Sequence, residues 1–330
     1  MFRSNPDNIP GLTIWVDASD ISTVNNGQVT NGQNVFKIVD KASGIVFRNG
    51  YGNFGPTYSI GVVNEKNAIS FNYYLSSTID SLQAKGLWAS DVTTMATGTY
   101  SLYCVSFPYD NRQRNTDGAG ILATQQLHLI SLINNLPTIS LNYSPHRRLT
   151  FQSIGNATPN QSMIYREDTD FIFPGGSDSG SALFDKVNQF AADNNTILPS
   201  NNRYIYGKTN IIGVRTNDGS KKLTVIRRDY LSNENFQSRS SSLLSINPTK
   251  QFVPAVGGPW LTIGAMFPND SSRSVEGVSG PMTNLSLSAI QNENNYPFEG
   301  YFCEFLFYNR QLTLGESNSV EKYLKKKWIG

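Results

Sequence analysis

Apolar and β-branched residues arrive in short runs, each about as long as a strand, broken by Gly, Pro, Asn and Asp. The runs are Leu12 to Val16, Val35 to Val39, Ala68 to Phe71, Tyr100 to Phe107, Gly120 to Thr124, Leu127 to Ile133, Thr138 to Asn142, Arg203 to Tyr206, Ile211 to Arg215, Leu223 to Arg228, Trp260 to Met266 and Gly300 to Tyr308. Many short strands at this spacing predict an all-β chain of sandwich type. Several runs alternate with period two, as in Leu223-Thr224-Val225-Ile226 ahead of Arg227 and Arg228. Such alternation puts one face on a core and the other in water.

Helical periodicity is strong in one place. Thr313 is a candidate N-cap with Glu316 three residues on, a capping-box spacing, and Val320, Tyr323, Leu324 and Trp328 then share one stripe. Lys325 to Lys327 place positive charge in the last turn, where the helix dipole favours it. A weaker helical pattern runs from Ser181 to Asp193. No Pro/Gly/Ser linker divides the chain and no repeat of a solenoid or propeller period is visible, so residues 1–330 read as one domain. An irregular, Asn- and Ser-rich stretch around 142–202 reads as a loop-rich insertion, the first place to look for binding.

Composition narrows the classes. Hydrophobic residues make up 38% and aromatics 12%, enough for a sizeable core, while only 16% are charged, against about 25% in an average soluble domain. The net charge is +2 and the basic residues are scattered, without the stripe that nucleic acid demands. No apolar run reaches the roughly 18 residues of a membrane span, and the N-terminus has no apolar signal segment. The Asn-x-Ser/Thr sites, Asn142 and Asn284 among them, therefore read as products of composition rather than glycosylation sites. Cys104 and Cys303 each sit inside an apolar run, which fits buried free thiols and fits a disulfide, the former being preferred.

The order of these signals resembles the concanavalin A-like/laminin G-like jelly-roll family found in viral and microbial surface proteins. The resemblance starts at Leu12-Thr13-Ile14-Trp15-Val16-Asp17, a strand ending in an acidic turn, and at Asp40-Lys41-Ala42-Ser43-Gly44. It continues through Asn67-Ala68-Ile69-Ser70-Phe71 and Tyr74-Leu75, then Trp260-Leu261-Thr262-Ile263-Gly264. It is densest from Phe298 to Arg310 and through the helix that ends in Lys327-Trp328, where Gly300 permits a bend into a long buried strand. The resemblance implies an antiparallel two-sheet jelly roll with a short C-terminal helix. The family hosts lectins, adhesins, glycosidases and virion proteins alike, so it does not fix an activity.

Glycosidases of this fold place catalytic carboxylates on alternate residues of one strand, since a retaining mechanism needs them about 5 Å apart. No Glu-x-Asp-x-x-Glu or Glu-x-Asp-x-Glu pattern exists here; Glu167-Asp168-Thr169-Asp170 and Glu299/Glu304 have the wrong spacing. Gly176-Ser177-Asp178-Ser179-Gly180 looks like a serine-protease nucleophile loop, but His128 and His146 lack the matching setting, and a polar turn capping a helix is the better reading. Two histidines and two strand cysteines make no familiar zinc site. Asp168, Asp170, Asp178, Asn194 and Asn195 could supply oxygens to calcium, or could simply be a solvated loop. Tyr51, Phe54, Tyr58, Trp88, Tyr109, Tyr143 and Tyr165 are aromatics that could stack on sugar or pack a core. Tyr143, Tyr165, Asp168, Asp170 and Asp178 are taken as the candidate ligand-binding residues.

The resulting expectation is a non-catalytic structural protein of a virion, such as a capsid decoration, head-fibre or tail-associated component. It would carry no cofactor beyond a possible calcium, form homo-oligomers, contact other virion proteins, touch glycans in an added role, and bind neither nucleic acid nor membrane. The alternative is a carbohydrate-binding lectin or adhesin, with a glycoside hydrolase third.

Overall fold

The computed structural model describes residues 5–49, 55–71, 86–89, 92, 100–108, 126–134, 136–144, 148–154, 162–166, 171–175, 209–217, 222–228, 237–241, 260–264, 295–298 and 300–330. The alternating runs become strands β1 (Leu12–Asp17), β2 (Lys37–Val39), β3 (Val46–Arg48), β4 (Thr57–Val63), β5 (Lys66–Phe71), β6 (Leu87–Ala89) and β7 (Ser101–Pro108). There follow β8 (Gln126–Asn134), β9 (Leu136–Ser144), β10 (Arg148–Ile154), β11 (Ser162–Arg166) and β12 (Phe171–Gly175). The remaining strands are β13 (Asn210–Asn217), β14 (Lys222–Arg228), β15 (Gln237–Ser241), β16 (Trp260–Ile263), β17 (Asn295–Pro297) and β18 (Gly300–Tyr308). Among the described residues the one α-helix is α1 (Leu314–Trp328).

The strands form two sheets. The first runs β15-β14-β13-β7-β18-β5-β4, with β1 also on β18, and the second runs β12-β11-β10-β9-β8-β16-β6-β3-β2, with β17 on β8. Among the described residues every strand pairing is antiparallel except that of β17 with β8. The expected strands at Gly120 to Thr124 and Arg203 to Tyr206, and the expected helix from Ser181 to Asp193, lie outside the described residues. The first part of the stretch read as loop-rich is not irregular: β10, β11 and β12 continue the second sheet to Gly175. Its Ser and Asn residues alternate with Leu, Phe, Ile and Tyr, and such alternation is compatible with a sheet however polar the average composition.

Two apolar clusters account for the layering. One takes Ile14, Phe302, Phe305 and Phe307 from the first sheet together with Ile38, Phe47, Leu87, Leu261 and Ile263 from the second, so the two sheets share a core. The other takes Trp15, Tyr103, Leu306 and Tyr308 from the first sheet with Val320, Leu324 and Trp328 from α1. The first sheet is thus covered on both faces, by its partner sheet and by the helix.

Strand β18 makes this possible. It holds β7 on one side; on the other, Gly300–Phe302 pairs with β5 and Glu304–Tyr308 pairs with β1. A register shift between Phe302 and Glu304 places Cys303 in the helix-side cluster and turns Phe302 and Phe305 into the inter-sheet core. At the head of the strand, Gly300 has φ +151° and a Cβ there would lie 2.4 Å from the Phe107 carbonyl oxygen, so only glycine fits the bend.

The two thiols are free and buried. Cys104 belongs to the inter-sheet cluster and Cys303 to the helix-side cluster, so they lie on opposite faces of one sheet. Burial pushes both thiols above their usual range, as for inert core residues.

Helix α1 starts as its sequence dictates. The Glu316 amide donates to Thr313 Oγ1 at 3.3 Å and the Thr313 amide donates to Glu316 Oε2 at 2.8 Å, a reciprocal capping box. Arg310 forks onto the same Glu316 carboxylate at 2.6 and 3.0 Å.

Candidate functional site

A cluster of ionisable side chains lies under α1. Strands β1 and β18 bring Asp17 directly opposite Glu304. Glu304, fully buried, accepts from Trp15 Nε1 at 2.6 Å, Trp328 Nε1 at 2.6 Å and Tyr323 Oη at 2.9 Å. Lys327 Nζ lies 2.9 Å from Glu304 Oε2 and 2.7 Å from Asp17 Oδ1, clamping both carboxylates. Lys41 joins Asp17 at 3.3 Å to Asp20 at 2.8 Å, and its ammonium stands 4.2 Å above the Trp15 ring. Asp40, also buried, accepts from the Trp15, Ala42 and Ser43 amides and fixes the turn carrying Lys41.

Burial first, and the neighbouring Asp17 carboxylate second, push the Glu304 carboxyl above the usual range, while Lys327 and the Trp328 N–H pull it back. Every hydrogen-bonding neighbour of Glu304 named above is a donor, the arrangement that holds a carboxylate rather than an acid. Two facing carboxylates with an ammonium between them have the makings of acid-base chemistry. Here, though, three of the partners (Tyr323, Lys327 and Trp328) belong to α1, which closes the cluster off. The arrangement fastens the helix to the sheet.

The second sheet offers a different surface. Following the register from its edge, Lys37 stands opposite Arg48, Arg48 opposite Trp88, Trp88 opposite Thr262, and Thr262 opposite Ser131. Ser131 then faces Ser140 and Ser140 faces Gln152. The neighbouring row reads Leu87, Ile263, Ile130, Leu141 and Phe151, and its Leu87 and Ile263 lie in the inter-sheet core. These positions form a polar row in register, and since alternate positions of a strand take opposite faces, Lys37, Arg48 and Thr262 within it turn away from the core. Thr262, in the middle of the row, is buried, whereas Arg48, at its end, is exposed.

At that open end stands Phe36, 43% exposed. Its amide donates to Asn25 Oδ1 at 2.9 Å and its carbonyl accepts from the Asn49 amide at 2.8 Å. Asn25, at φ +47°, also takes the Lys37 amide at 3.1 Å and donates from Nδ2 to the Asn34 carbonyl at 2.8 Å. An aromatic ring is thereby carried in the open on backbone held from both sides.

The residues expected to bind ligand are placed differently. Tyr143 and Tyr165, expected in loops, lie in β9 and β11, opposite Leu149 and Phe151 of β10 respectively. Asp168, Asp170 and Asp178 lie outside the described residues, as do Tyr51, Phe54 and Tyr109. Tyr58 is a core residue. Among the described residues no group of three or more His, Cys, Asp or Glu side chains is arranged to hold a metal ion. Sequence reasoning missed Phe36 and the Asp17–Lys327–Glu304 clamp. Phe36 carried one signal: Val35 and Ile38 both enter the core, so the run breaks period two between them.

No protein-family model and no curated protein matches the chain. Among solved structures, Trypanosoma rangeli sialidase in complex with sialic acid aligns over 98% of this chain and 34% of its own, at 11% identity and a TM-score of 0.40. The CBM40 of Ruminococcus gnavus IT-sialidase, bound to α2,3-sialyllactose, aligns over 70% of this chain and 90% of its own, at 10% identity and a TM-score of 0.35. An arabinofuranosidase complexed with arabinofuranosyl-α-1,2-xylobiose aligns over 88% and 50%, at 11% identity and a TM-score of 0.38. The chain spans about a third of the sialidase. The expectation that this chain is not an enzyme is corrected by these neighbours, of which two are glycoside-processing enzymes, and it is withdrawn. That expectation rested on a search for carboxylates along single strands, and the Asp17/Glu304 pair shows how two strands can supply facing carboxylates that no local pattern reveals.

Proposed function

We propose that the chain is a lectin-like jelly-roll sandwich that binds carbohydrate at the open end of the polar row on its second sheet. The observation that carries this reading is Phe36, an exposed ring whose backbone is hydrogen-bonded from both sides, next in the chain to Lys37 at the end of the row of Arg48, Trp88, hydroxyl and amide positions. Sugar rings pair an apolar C–H face with a rim of hydroxyls. They are gripped by an aromatic plate beside hydrogen-bonding groups, with little reorganisation when that plate is held in place beforehand. The neighbours named above act on or bind glycans, in line with this reading, but it stands on the row itself. Location in a virion and a homo-oligomeric state are proposed only as secondary to glycan binding.

A glycan array on the purified chain, followed by calorimetric titration of the strongest hits, tests the proposal. Wild type is expected to bind a defined set of oligosaccharides. Phe36→Ala is expected to weaken them at least tenfold, about 1.4 kcal/mol, with the melting temperature unchanged. Absence of binding at millimolar glycan, or binding that ignores Phe36, would overturn it. Chromatography of each bound oligosaccharide after incubation tells in the same experiment whether it is also cleaved.

A further inference from the structure

We infer that Lys37 and Arg48 form a subsite for an acidic group on the bound glycan, a carboxylate or a sulfate carried by a sugar; the inference rests on the carbohydrate-binding reading above. The two cations are direct cross-strand partners on β2 and β3. The next pair along, Ile38 and Phe47, points into the inter-sheet core, so alternation turns Lys37 and Arg48 together to the opposite face. Like charges set directly opposite each other on neighbouring strands destabilise a sheet. Three other cations, Lys41, Arg310 and Lys327, each hold at least one carboxylate. Among the described residues, neither Lys37 nor Arg48 has an ion-pair partner.

Their surroundings fit a sugar acid better than a free anion. Phe36 directly precedes Lys37, is exposed, and its carbonyl accepts from the amide of Asn49, the residue after Arg48, so the exposed aromatic residue is joined through the backbone to both cation-bearing strands. Strand β2 is also the edge of its sheet, and edge strands often carry Lys to deter association with other chains. That role asks for charge at the edge but gives no reason to place two cations face to face beside an exposed aromatic.

The test is a calorimetric comparison of wild type with Lys37→Gln/Arg48→Gln, each checked for an unchanged fold by circular dichroism. The probes are sialyllactose against lactose, galacturonate oligosaccharides against their neutral galactose counterparts, and sulfated against unsulfated galactose oligosaccharides, at low and high salt. At least one acidic glycan is expected to bind wild type about tenfold or more tighter than its neutral match. That preference should shrink with salt, as for an exposed charge contact, and vanish in the double variant. Equal binding of acidic and neutral members in wild type overturns the inference and leaves the carbohydrate-binding reading standing. An acidic preference that survives in the double variant does the same, as does a variant that only melts higher through relief of like-charge repulsion. A chain that binds no glycan of either kind overturns both.

Discussion

Under the C-terminal helix, Lys327 holds two buried carboxylates in a shell of Trp and Tyr donors, whereas at the edge of the other sheet Lys37 and Arg48 face each other with no counter-charge among the described residues. The first arrangement is complete: acceptors meet donors, and the helix covers the two buried carboxylates, Asp17 and Glu304. The second is open, with exposed Arg48 and Phe36 beside it. Ionised side chains in a protein serve cohesion when their partners are internal and recognition when the partner has to come from outside. The two surfaces of this chain separate those uses, and substitutions in each should fail in different assays.

The largest effect is expected from Lys327→Ala, which leaves Asp17 and Glu304 buried without the ammonium between them. Removing one member of a buried pair costs about 3–5 kcal/mol, to be read from urea unfolding, while the Lys37 and Arg48 substitutions should stay within about 0.5 kcal/mol of wild type. Equal losses at both places would erase the contrast. A smaller loss is expected from Trp328→Phe, which keeps most of the ring and deletes the N–H that donates to Glu304 Oε2. One charge-assisted hydrogen bond is worth about 2 kcal/mol, and glycan binding should not change.

The smallest effect concerns pH. Arg310, and then the capping contacts with Thr313, hold the Glu316 carboxyl down at about 2, opposed by modest desolvation. A depressed carboxyl adds stability that is fully present above the ordinary Glu range and lost as pH falls from about 4.5 towards 2. Because the pair is partly solvated, the change should be only about 1–2 °C in melting temperature. It should be absent in Glu316→Gln, as scans across that window would reveal.

Much of this could be read along the chain wherever the determinants are local. The capping box at Thr313 and Glu316, the stripe through Val320, Leu324 and Trp328, the bend at Gly300 and the strands at both ends of the domain all follow from residues a few positions apart. What depended on register could not be read. Trp15 meets Glu304 across 289 positions, so Lys327 looked like a solvated member of a basic last turn when in fact it points inward. The polar row was invisible for the same reason: Arg48, Trp88, Thr262 and Ser131 become neighbours only when four strands are laid side by side. The strands that carry Tyr143 and Tyr165 are hidden in a stretch whose average composition is polar, because only its alternation marks them as strands.

Strand β18, which joins β7, β5 and β1 into one sheet, also sets the order of events during synthesis. Its three partners are translated long before it, and until it arrives the first sheet has a gap at its centre rather than at its rim. The nascent chain must therefore carry β1, β5 and β7 with unsatisfied edges through most of its elongation, a situation that invites association with other chains. Folding of this domain is in that sense a closing event, and fragments that stop short of Gly300 should be found in aggregates rather than as smaller stable units.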